Sequence, residues 1–336
     1  LKLNILKELS NSNDIHSKVE INNASINSKE IKKNDIFFAI RGKKKDGNLF
    51  TKEALNKGAS LVIINHKKKS KKEIVVKDTL KFLTEASSIL RENLPSKIIS
   101  ITGSCGKTSL KELTGRSLNK ISQTTYSPKS FNNKFGVPLS LFNLRERDDF
   151  GIFEIGMDKK GEINSLSKII KPDVGVITNI SYAHAKNFKN IKQIALAKSE
   201  IIDNIKDDGV IVLNADDQFY NLHKKIAIKK NLKVYTFSVK KKISDVKLNF
   251  IRKEGKKYKV FIISGNQKLC FYSSSNFESY IQNLLAALTV ISIFKDINKL
   301  HKNIFYSYKL PKGRGDISKI KVNKKNIYLG DESYNS

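Results

Sequence analysis

The sequence predicts an α/β protein built on a parallel sheet. Short apolar strands alternate with helical patterns along most of the 336 residues, and this alternation is typical of a parallel sheet with helices on both faces. An apolar strand at residues 97–102 leads into a glycine loop at 103–108 and then into a helical pattern at 109–118. That order of elements indicates a phosphate-binding unit. The hydrophobic fraction of 39% is sufficient for packed cores, and no internal repeat is evident.

The first unit, residues 1–80, is predicted to be a small α/β domain. Apolar strands are expected at residues 35–40 and 60–65. A helix over residues 50–58 lies between them and ends at Gly58, because glycine is favoured just after a helix C-terminus.

The second unit, residues 81–310, contains the glycine loop and most of the predicted sheet. Further strands are expected at residues 150–155, 174–180 and 210–213, with helical patterns between them. In such sheets ligands bind at the carboxyl ends of the strands. The residues predicted at those ends are polar or glycine: Thr102, Gly103, Glu154, Asn179 and Asn214.

The pattern changes after residue 232. Alternation over residues 246–272 predicts an antiparallel hairpin that turns near Gly255, and residues 277–294 form an apolar helical pattern. Residues 311–336 are interpreted as a hinge followed by the beginning of a truncated C-terminal domain, with a strand at 326–330. Because the sequence begins with Leu1 and stops abruptly, we expect a fragment.

The net charge of +31 raises the hypothesis of nucleic-acid binding. The lysines, however, are spread along the whole sequence, and no aromatic–basic module or helix-turn-helix accompanies them. We therefore expect no nucleic acid as the main partner. No run approaches the about 18 apolar residues of a membrane helix, and no signal peptide is recognisable. Two cysteines are too few for a disulfide framework, which fits a cytoplasmic protein.

The loop motif Gly-x-x-Gly-Lys-Thr is the strongest signal of chemistry. Its glycines allow backbone N–H groups to close on phosphate oxygens, and the following helix N-terminus adds positive partial charge. Lys107 is expected at the β- and γ-phosphates and Thr108 at Mg²⁺. The alternative is an ordinary glycine turn. The ATP-binding residues expected in this loop are Gly103, Ser104, Cys105, Gly106, Lys107, Thr108 and Ser109.

Three residues outside the loop are candidates for catalysis or metal binding. Glu154 ends a strand close to the loop, which is the usual place for a Mg²⁺ carboxylate. Lys198 falls on the apolar face of a helix at 191–205; it either snorkels to the surface or is a functional lysine whose burial lowers its pKa. His184 follows the strand at 174–180, and a structural role and a metal or phosphate role are equally open.

Together these motifs resemble the Mur ligases, the ATP-dependent acid–amino-acid ligases of peptidoglycan synthesis. The resemblance extends over essentially the whole chain. It is carried in chain order by residues 27–29, 35–42, 46–47, 58–59, 103–108, 132–138, 154–163, 178–184, 195–200, 313–315 and 331–335.

The resemblance implies an N-terminal UDP-binding domain, a central ATPase domain and a Rossmann-like C-terminal domain. It implies that Ser28, Asn132 and Asn133 contact a UDP-linked substrate. Asn179, Asn283, Arg314 and Asp331 would contact ATP. Thr108, Glu154, His184 and a CO₂-derived carbamate on Lys198 would hold two Mg²⁺ ions, and the catalytic residues would be Lys107, Lys198, His184 and Glu154.

Details at residues 132–138 and 331–335 resemble the branch of the family that joins D-alanyl-D-alanine to UDP-N-acetylmuramoyl-tripeptide through an acyl phosphate. We expect a cytoplasmic monomer with those two substrates. The alternatives are the branch that adds the third amino acid, a folate-polyglutamating ligase and a P-loop kinase or NTPase of other function. Two departures stand out: Asn27-Ser28-Lys29 replaces Asp-Ser-Arg, and Ser279-Tyr280 replaces a His-Asn pair that lies near the adenine.

Overall fold

The computed structural model describes residues 1–10, 19–42, 45–182, 187–240, 243–306, 308, 316–322 and 325–331. In this part of the chain the strands form three sheets, of four, nine and two strands. The α/β class predicted from the sequence is confirmed.

The first sheet is parallel and lies in the N-terminal part of the chain, with the strand order β1-β2-β3-β4. Its elements are α1 (Lys2–Ser10), β1 (Ala24–Ser25), β2 (Ile36–Phe38), α2 (Thr51–Asn56), β3 (Leu61–Ile64), β4 (Glu73–Val75) and α3 (Thr79–Asn93). The strands predicted at 35–40 and 60–65 and the helix predicted at 50–58 are confirmed with shorter bounds. Gly58 follows α2 with a φ of +97°, a conformation that favours glycine.

The second sheet has the order β13-β12-β11-β10-β9-β8-β5-β7-β6. Its strands are β5 (Lys97–Thr102), β6 (Thr124–Tyr126), β7 (Phe150–Glu154), β8 (Val174–Ile177), β9 (Val210–Asn214), β10 (Lys233–Ser238), β11 (Val246–Glu254), β12 (Lys257–Ser264) and β13 (Gln267–Ser273). Neighbours from β6 to β11 pair in parallel, whereas β12 and β13 add antiparallel pairs. The helices are α4 (Lys107–Leu118), α5 (Gly136–Phe142), α6 (Glu162–Ile170), α7 (Ile191–Asp203), α8 (Tyr220–Lys229) and α9 (Glu278–Ser292).

Two apolar cores lie on the two faces of this sheet. Alternate residues of β5 show the division, because Ile98 belongs to one core while Ile99 and Ile101 belong to the other. The first core includes apolar residues of α3, α5, α6 and α7, and the second includes those of α4 and α9. Such three-layer packing is expected of strands that are buried on both faces.

The hairpin predicted over residues 246–272 was incomplete, because the structure has three antiparallel strands there. β11 and β12 turn at Gly255, with a φ of +60°, and β12 and β13 turn at Gly265, with a φ of +54°. The second turn was missed because the alternation of polar and apolar residues continues through it. The predicted strand at 326–330 is confirmed as β15 (Lys325–Asp331), which pairs with β14 (Asp316–Val322). The predicted linker at 311–315 lies outside the described residues.

Strand order brings three loops together at one edge of the large sheet. β5 lies between β7 and β8, so the loops at the carboxyl ends of these parallel strands are neighbours. Ligands of open α/β sheets bind in this place. No helix among the described residues combines the length and apolar character needed to cross a bilayer.

Candidate active site

The glycine loop between β5 and α4 has a shape that only glycine allows at two positions. Gly103 has a φ of +145° and Gly106 a φ of +81°, a region that L side chains rarely adopt. A Cβ on Gly103 would lie 1.9 Å from the Thr178 hydroxyl oxygen, and one on Gly106 would lie 3.0 Å from the Asn283 amide oxygen. The loop is therefore closely packed against the loop after β8 and against α9.

The loop after β8 fixes the backbone of the glycine loop. The Ser104 N–H donates to the Asn179 carbonyl at 2.8 Å, and the Cys105 N–H donates to the Asn179 side-chain oxygen at 3.0 Å. The Thr178 hydroxyl donates to the Cys105 carbonyl at 2.6 Å. Asn179, which was predicted to contact ATP, thus lies beside the loop with its amide engaged by Cys105.

Two lysine amines meet at one carbonyl. Lys107 Nζ donates to the Gly103 carbonyl at 2.8 Å and to the Ser104 carbonyl at 3.1 Å. Lys198 Nζ, carried by α7, donates to the same Gly103 carbonyl at 3.0 Å. Lys198 is 1% exposed, so the structure rules out the alternative that it snorkels to the surface.

Burial changes the acid–base character of Lys198. Desolvation, reinforced by the nearby positive charge of Lys107, lowers the pKa of Lys198 to about 7. A neutral amine is therefore accessible near neutral pH, and a neutral amine is the form that acts as a nucleophile.

A hydroxyl and a carboxylate lie next to the loop. Thr108, in the first turn of α4, donates its hydroxyl to Glu154 Oε2 at 2.6 Å. Glu154 ends β7 and is 1% exposed. Its other oxygen accepts a hydrogen bond from the Asn132 amide at 2.7 Å. Oxygen atoms in this position suit Mg²⁺, which binds through one or two carboxylates, water and substrate phosphates.

Within the described ranges no group of three or more His, Cys, Asp or Glu side chains could hold a metal by itself. His184 and Arg314 lie outside the described residues. Asp331 ends β15, and only its backbone is described.

The two asparagines predicted to contact the UDP substrate have partners within the protein. Asn132 orients Glu154, as described above. Asn133 is exposed, and its side-chain oxygen accepts hydrogen bonds from the N–H groups of Phe135 and Gly136, both at 3.0 Å. Asn133 thus caps the beginning of α5.

A cavity of about 560 Å³ lies beside the first sheet. Its wall combines Phe50 and Phe135 with Lys29 and Lys45. Ser28 also lines it, and its hydroxyl donates to Glu53 Oε2 at 2.8 Å. Aromatic rings beside ammonium groups suit a ligand that has a flat ring and negative charge.

Tyr280 stands where the sequence departs from the family pattern, and its side chain lies in the core. It is 2% exposed, and its hydroxyl donates to the Phe305 carbonyl at 3.1 Å. Asn283, one turn later on α9, lies against Gly106. Of these two α9 residues, therefore, only Asn283 is next to the glycine loop.

Asn214 was predicted only as a polar residue at a strand end, and neither Asp217 nor Lys111 was predicted; all three help to hold the site in place. The Asn214 amide donates to the Thr178 carbonyl at 3.1 Å, and Asp217 Oδ2 accepts from the Ile180 N–H at 2.7 Å. Both fix the loop after β8. Lys111 is completely buried on α4. The signal that could have drawn attention to it is a lysine among the helix positions that face the core, one turn after Thr108.

Two protein families match parts of this chain. The Mur ligase middle domain family matches residues 101–291, and the family described as Mur ligase family, catalytic domain, matches residues 20–92. The UDP-N-acetylmuramoyl-tripeptide–D-alanyl-D-alanine ligase of Rickettsia prowazekii (strain Madrid E) is 33% identical over 314 residues, which cover 91% of this chain and 69% of that protein.

Two solved structures are similar over nearly the whole chain. The crystal structure of MurF from Acinetobacter baumannii has a TM-score of 0.83 at 25% identity and covers 99% of this chain and 73% of that one. MurF from Thermotoga maritima in complex with ADP has a TM-score of 0.77 at 25% identity, with coverages of 97% and 73%. The middle-domain match covers more than half of the sequence, so the chain belongs to the Mur ligase family.

Proposed function

We propose that this chain carries out the ATP-dependent addition of D-alanyl-D-alanine to UDP-N-acetylmuramoyl-tripeptide. The convergence of the glycine loop, Lys107 and Lys198 with the Thr108–Glu154 pair supports the reaction class. The substrates are those named for the Rickettsia prowazekii relative, which is similar over 91% of this chain. Because ATP and the UDP-linked precursor are cytoplasmic, we place the reaction in the cytoplasm.

The reaction needs an activated carboxylate, since a carboxylate and an amine do not condense unaided in water. A terminal carboxylate oxygen of the tripeptide attacks the γ-phosphorus of ATP, and ADP leaves. The amine of D-alanyl-D-alanine then attacks the carbonyl carbon of the acyl phosphate. Phosphate leaves with the original carboxylate oxygen, and the amine nitrogen loses a proton as the amide forms.

The residues of the site would bind and orient these anions. Lys107 and the loop N–H groups would hold the β- and γ-phosphates. Mg²⁺ would neutralise phosphate charge when bound, and Thr108 and Glu154 would hold it. Ser109, in the first turn of α4, would also contact ATP, as would Asn179 and Asn283, which border the loop. We include His184 as a further metal ligand, and Arg314 and Asp331 as nucleotide contacts.

We also propose that Lys198 is the site of a carbamate. The neutral amine would add to CO₂ and release a proton. The carbamate formed in this way would supply an anionic oxygen ligand for a second Mg²⁺. The pKa of about 7 makes the neutral amine available, and the adjacent Lys107 would favour the negative product. Asn132 and Asn133 would meet the substrate where it passes from the UDP cavity to the site.

Substrate binding would be divided between the four-stranded and the nine-stranded sheets. We propose residues 1–80 as the UDP-binding domain, because the cavity beside Ser28 combines aromatic walls with lysines. Residues 81–310 would form the ATP-binding domain, and residues 311–336 the hinge and the beginning of a C-terminal domain.

Isotope transfer tests the proposed chemistry directly. The tripeptide would be labelled with ¹⁸O in its terminal carboxylate and incubated with the full chain, ATP, Mg²⁺ and D-alanyl-D-alanine. Mass spectrometry should find one ¹⁸O in the released phosphate for each dipeptide joined. Ligation that leaves all the ¹⁸O in the peptide product would contradict the acyl-phosphate route. Transfer of ¹⁸O to phosphate that requires a single amino acid in place of the dipeptide would assign the chain to a neighbouring branch of the family.

A further inference from the structure

Lys111 is a fully buried ammonium group that none of the roles above requires. It lies on α4 one turn after Thr108 and is 0% exposed. Its Nζ donates to the carbonyls of Ser127 at 2.5 Å and Lys129 at 2.6 Å, and it lies 3.0 Å from Glu112 Oε1. An ammonium has three N–H donors and a positive charge. The two carbonyls and the carboxylate supply three acceptors, and the carboxylate supplies the opposite charge.

The two carbonyls belong to the segment 127–133, which leads from β6 towards α5. Asn132 in this segment donates to Glu154 Oε1 at 2.7 Å, and its carbonyl accepts from the Gly156 N–H at 2.8 Å. Glu154 in turn accepts the Thr108 hydroxyl. A closed circuit of contacts results, from α4 through Lys111, the 127–133 segment, Asn132 and Glu154 back to Thr108 on α4.

The same segment reaches towards the UDP cavity. Lys129 Nζ lies 3.3 Å from Oε1 of Glu30, which belongs to the same 3₁₀ turn as Ser28. Phe135, just beyond the segment, lines the cavity. Lys129 has a φ of +48°, a left-handed conformation that is unfavourable for a non-glycine residue. The hydrogen bond from Lys111 to its carbonyl helps to hold that conformation.

We propose that Lys111 is a positioning residue that sets the Glu154 carboxylate for Mg²⁺ through the 127–133 segment and Asn132. This inference rests on the proposed function, in which Thr108 and Glu154 hold the metal that accompanies ATP. Lys111 itself touches neither nucleotide nor metal. Its N–H donors are needed because an apolar side chain would leave two buried carbonyls without donors and release the segment.

The test measures Mg²⁺-dependent nucleotide binding rather than catalysis. Binding of a non-hydrolysable ATP analogue to the full chain is titrated calorimetrically with Mg²⁺ and with EDTA, for the wild type, Lys111→Met, Asn132→Ala and the double variant. Lys111→Met should weaken the Mg²⁺-dependent part of binding about tenfold or more, as loss of outer-shell metal support does. Binding in EDTA should change by less than about twofold, because the glycine loop is intact.

The double variant separates positioning from general support of the fold. If Lys111 acts through Asn132, the effects of the two substitutions should not be additive. In the double variant the Mg²⁺-dependent part of nucleotide binding should be less than about twofold weaker than in Asn132→Ala alone. Lys120→Met is the matched control, since Lys120 Nζ near the other end of α4 donates to the Ile304 carbonyl at 2.8 Å. It should lower Tm and leave the Mg²⁺ dependence unchanged.

Four results would overturn the inference. Equal weakening with Mg²⁺ and with EDTA would show a loss of the whole nucleotide site, and additive losses would show that Lys111 does not act through Asn132. A Lys111→Met variant too unstable to titrate leaves Asn132→Ala as the test, and unchanged Mg²⁺ dependence there would contradict the circuit. A wild type without Mg²⁺-dependent ATP binding would overturn the proposed function itself, and this inference with it.

Discussion

At the scale of single residues, the centre of the site is the Gly103 carbonyl, which accepts hydrogen bonds from both Lys107 and Lys198. Two ammonium groups in contact with one carbonyl repel each other, and this repulsion adds to the desolvation of Lys198. Phosphate oxygens would relieve the repulsion, so the arrangement favours an anionic ligand.

Replacing Lys107 tests its assignment to the phosphates. Lys107→Ala should reduce ATP-dependent phosphate release by about hundredfold or more, because it removes a charge that stabilises the transferring phosphoryl group. Arg116→Ala is a suitable control, since Arg116 is an exposed residue of the same helix. Normal phosphate release by Lys107→Ala would contradict the assignment.

Replacing Lys198 tests the carbamate. Lys198→Ala should abolish ligation, and added bicarbonate should not restore it, because alanine has no amine to react with CO₂. Lys192→Ala changes an exposed lysine of the same helix and should remain active. Ligation by Lys198→Ala at near wild-type rate would exclude an essential role for the amine or its carbamate.

The lowered pKa of Lys198 also predicts how stability depends on pH. Between about pH 7 and pH 10.5 the unfolded chain retains the proton that the folded chain has released, so this group makes folding more favourable as pH rises. Lys198→Met should therefore be more stable than the wild type near pH 7, with the difference shrinking towards pH 10. Urea unfolding midpoints in CO₂-free buffer would measure this, and a difference independent of pH would contradict the burial argument.

At this scale the sequence predicted residue types better than contacts. The glycine loop, Glu154 and Lys198 could be predicted because each has a recognisable position in the pattern. The loop lies between a strand and a helix, Glu154 ends a strand, and Lys198 lies on the apolar face of a helix. Asn132 and Asn133 were predicted at the substrate, which stays a prediction; their contacts with Glu154 and with the first N–H groups of α5 were not predicted. The role of Lys111 could not be predicted, because its partners are backbone carbonyls whose position depends on the path of the 127–133 segment.

At the scale of elements, an ion pair ties helices and strands together at the end of the sheet opposite the site. Arg91, on α3, donates to Asp173 Oδ2 at 2.8 Å and to the Ile170 carbonyl at 2.9 Å. Asp173 also accepts from the Ile98 N–H at 2.8 Å. The cluster thereby joins α3 and α6 to the beginnings of β5 and β8.

Breaking this pair should destabilise the fold without changing the site. Arg91→Met leaves Asp173 without its buried partner, which should cost about 3 to 5 kcal/mol. Lys97→Met is the matched control, because Lys97 lies 3.7 Å from the same carboxylate with its side chain 57% exposed; the expected cost there is below about 1 kcal/mol. Chemical denaturation measures both. A similar loss for the two variants would contradict the importance of burial, and the ATP affinity of the folded proteins should be unchanged.

Strong periodicity predicted elements well, and short or unusual strands were missed. β5, β7 and α9 follow continuous apolar patterns and were located within a few residues. β1, with two residues, and β4 and β6, with three each, are too short for a pattern to show. The three-stranded extension was interpreted as one hairpin because both of its turns lie within the same alternation.

At the scale of the whole molecule, a small sheet with an aromatic and basic cavity accompanies a large sheet with a phosphate loop. The 127–133 segment contacts α4 through Lys111, and it contacts the turn beside the cavity through the Lys129–Glu30 ion pair. This continuity fits a substrate whose nucleotide end binds at one sheet and whose carboxylate reacts at the other.

The overall architecture could be predicted because alternating strands and helices admit few arrangements. The order of the strands could not, since it depends on where each crossover places its strand in the sheet. The substrates could not be deduced from periodicity or charge either. The net charge of +31 by itself favours a nucleic-acid partner, and only the order of several motifs indicated a ligase.

Phosphate release from ATP tests the central claim most directly. The full chain would be assayed with UDP-N-acetylmuramoyl-tripeptide and D-alanyl-D-alanine, each alone and both together. We predict sustained release only when both are present, because the dipeptide amine is needed to discharge the acyl phosphate. Sustained release that is independent of both substrates would contradict the account and leave an ATPase of another kind.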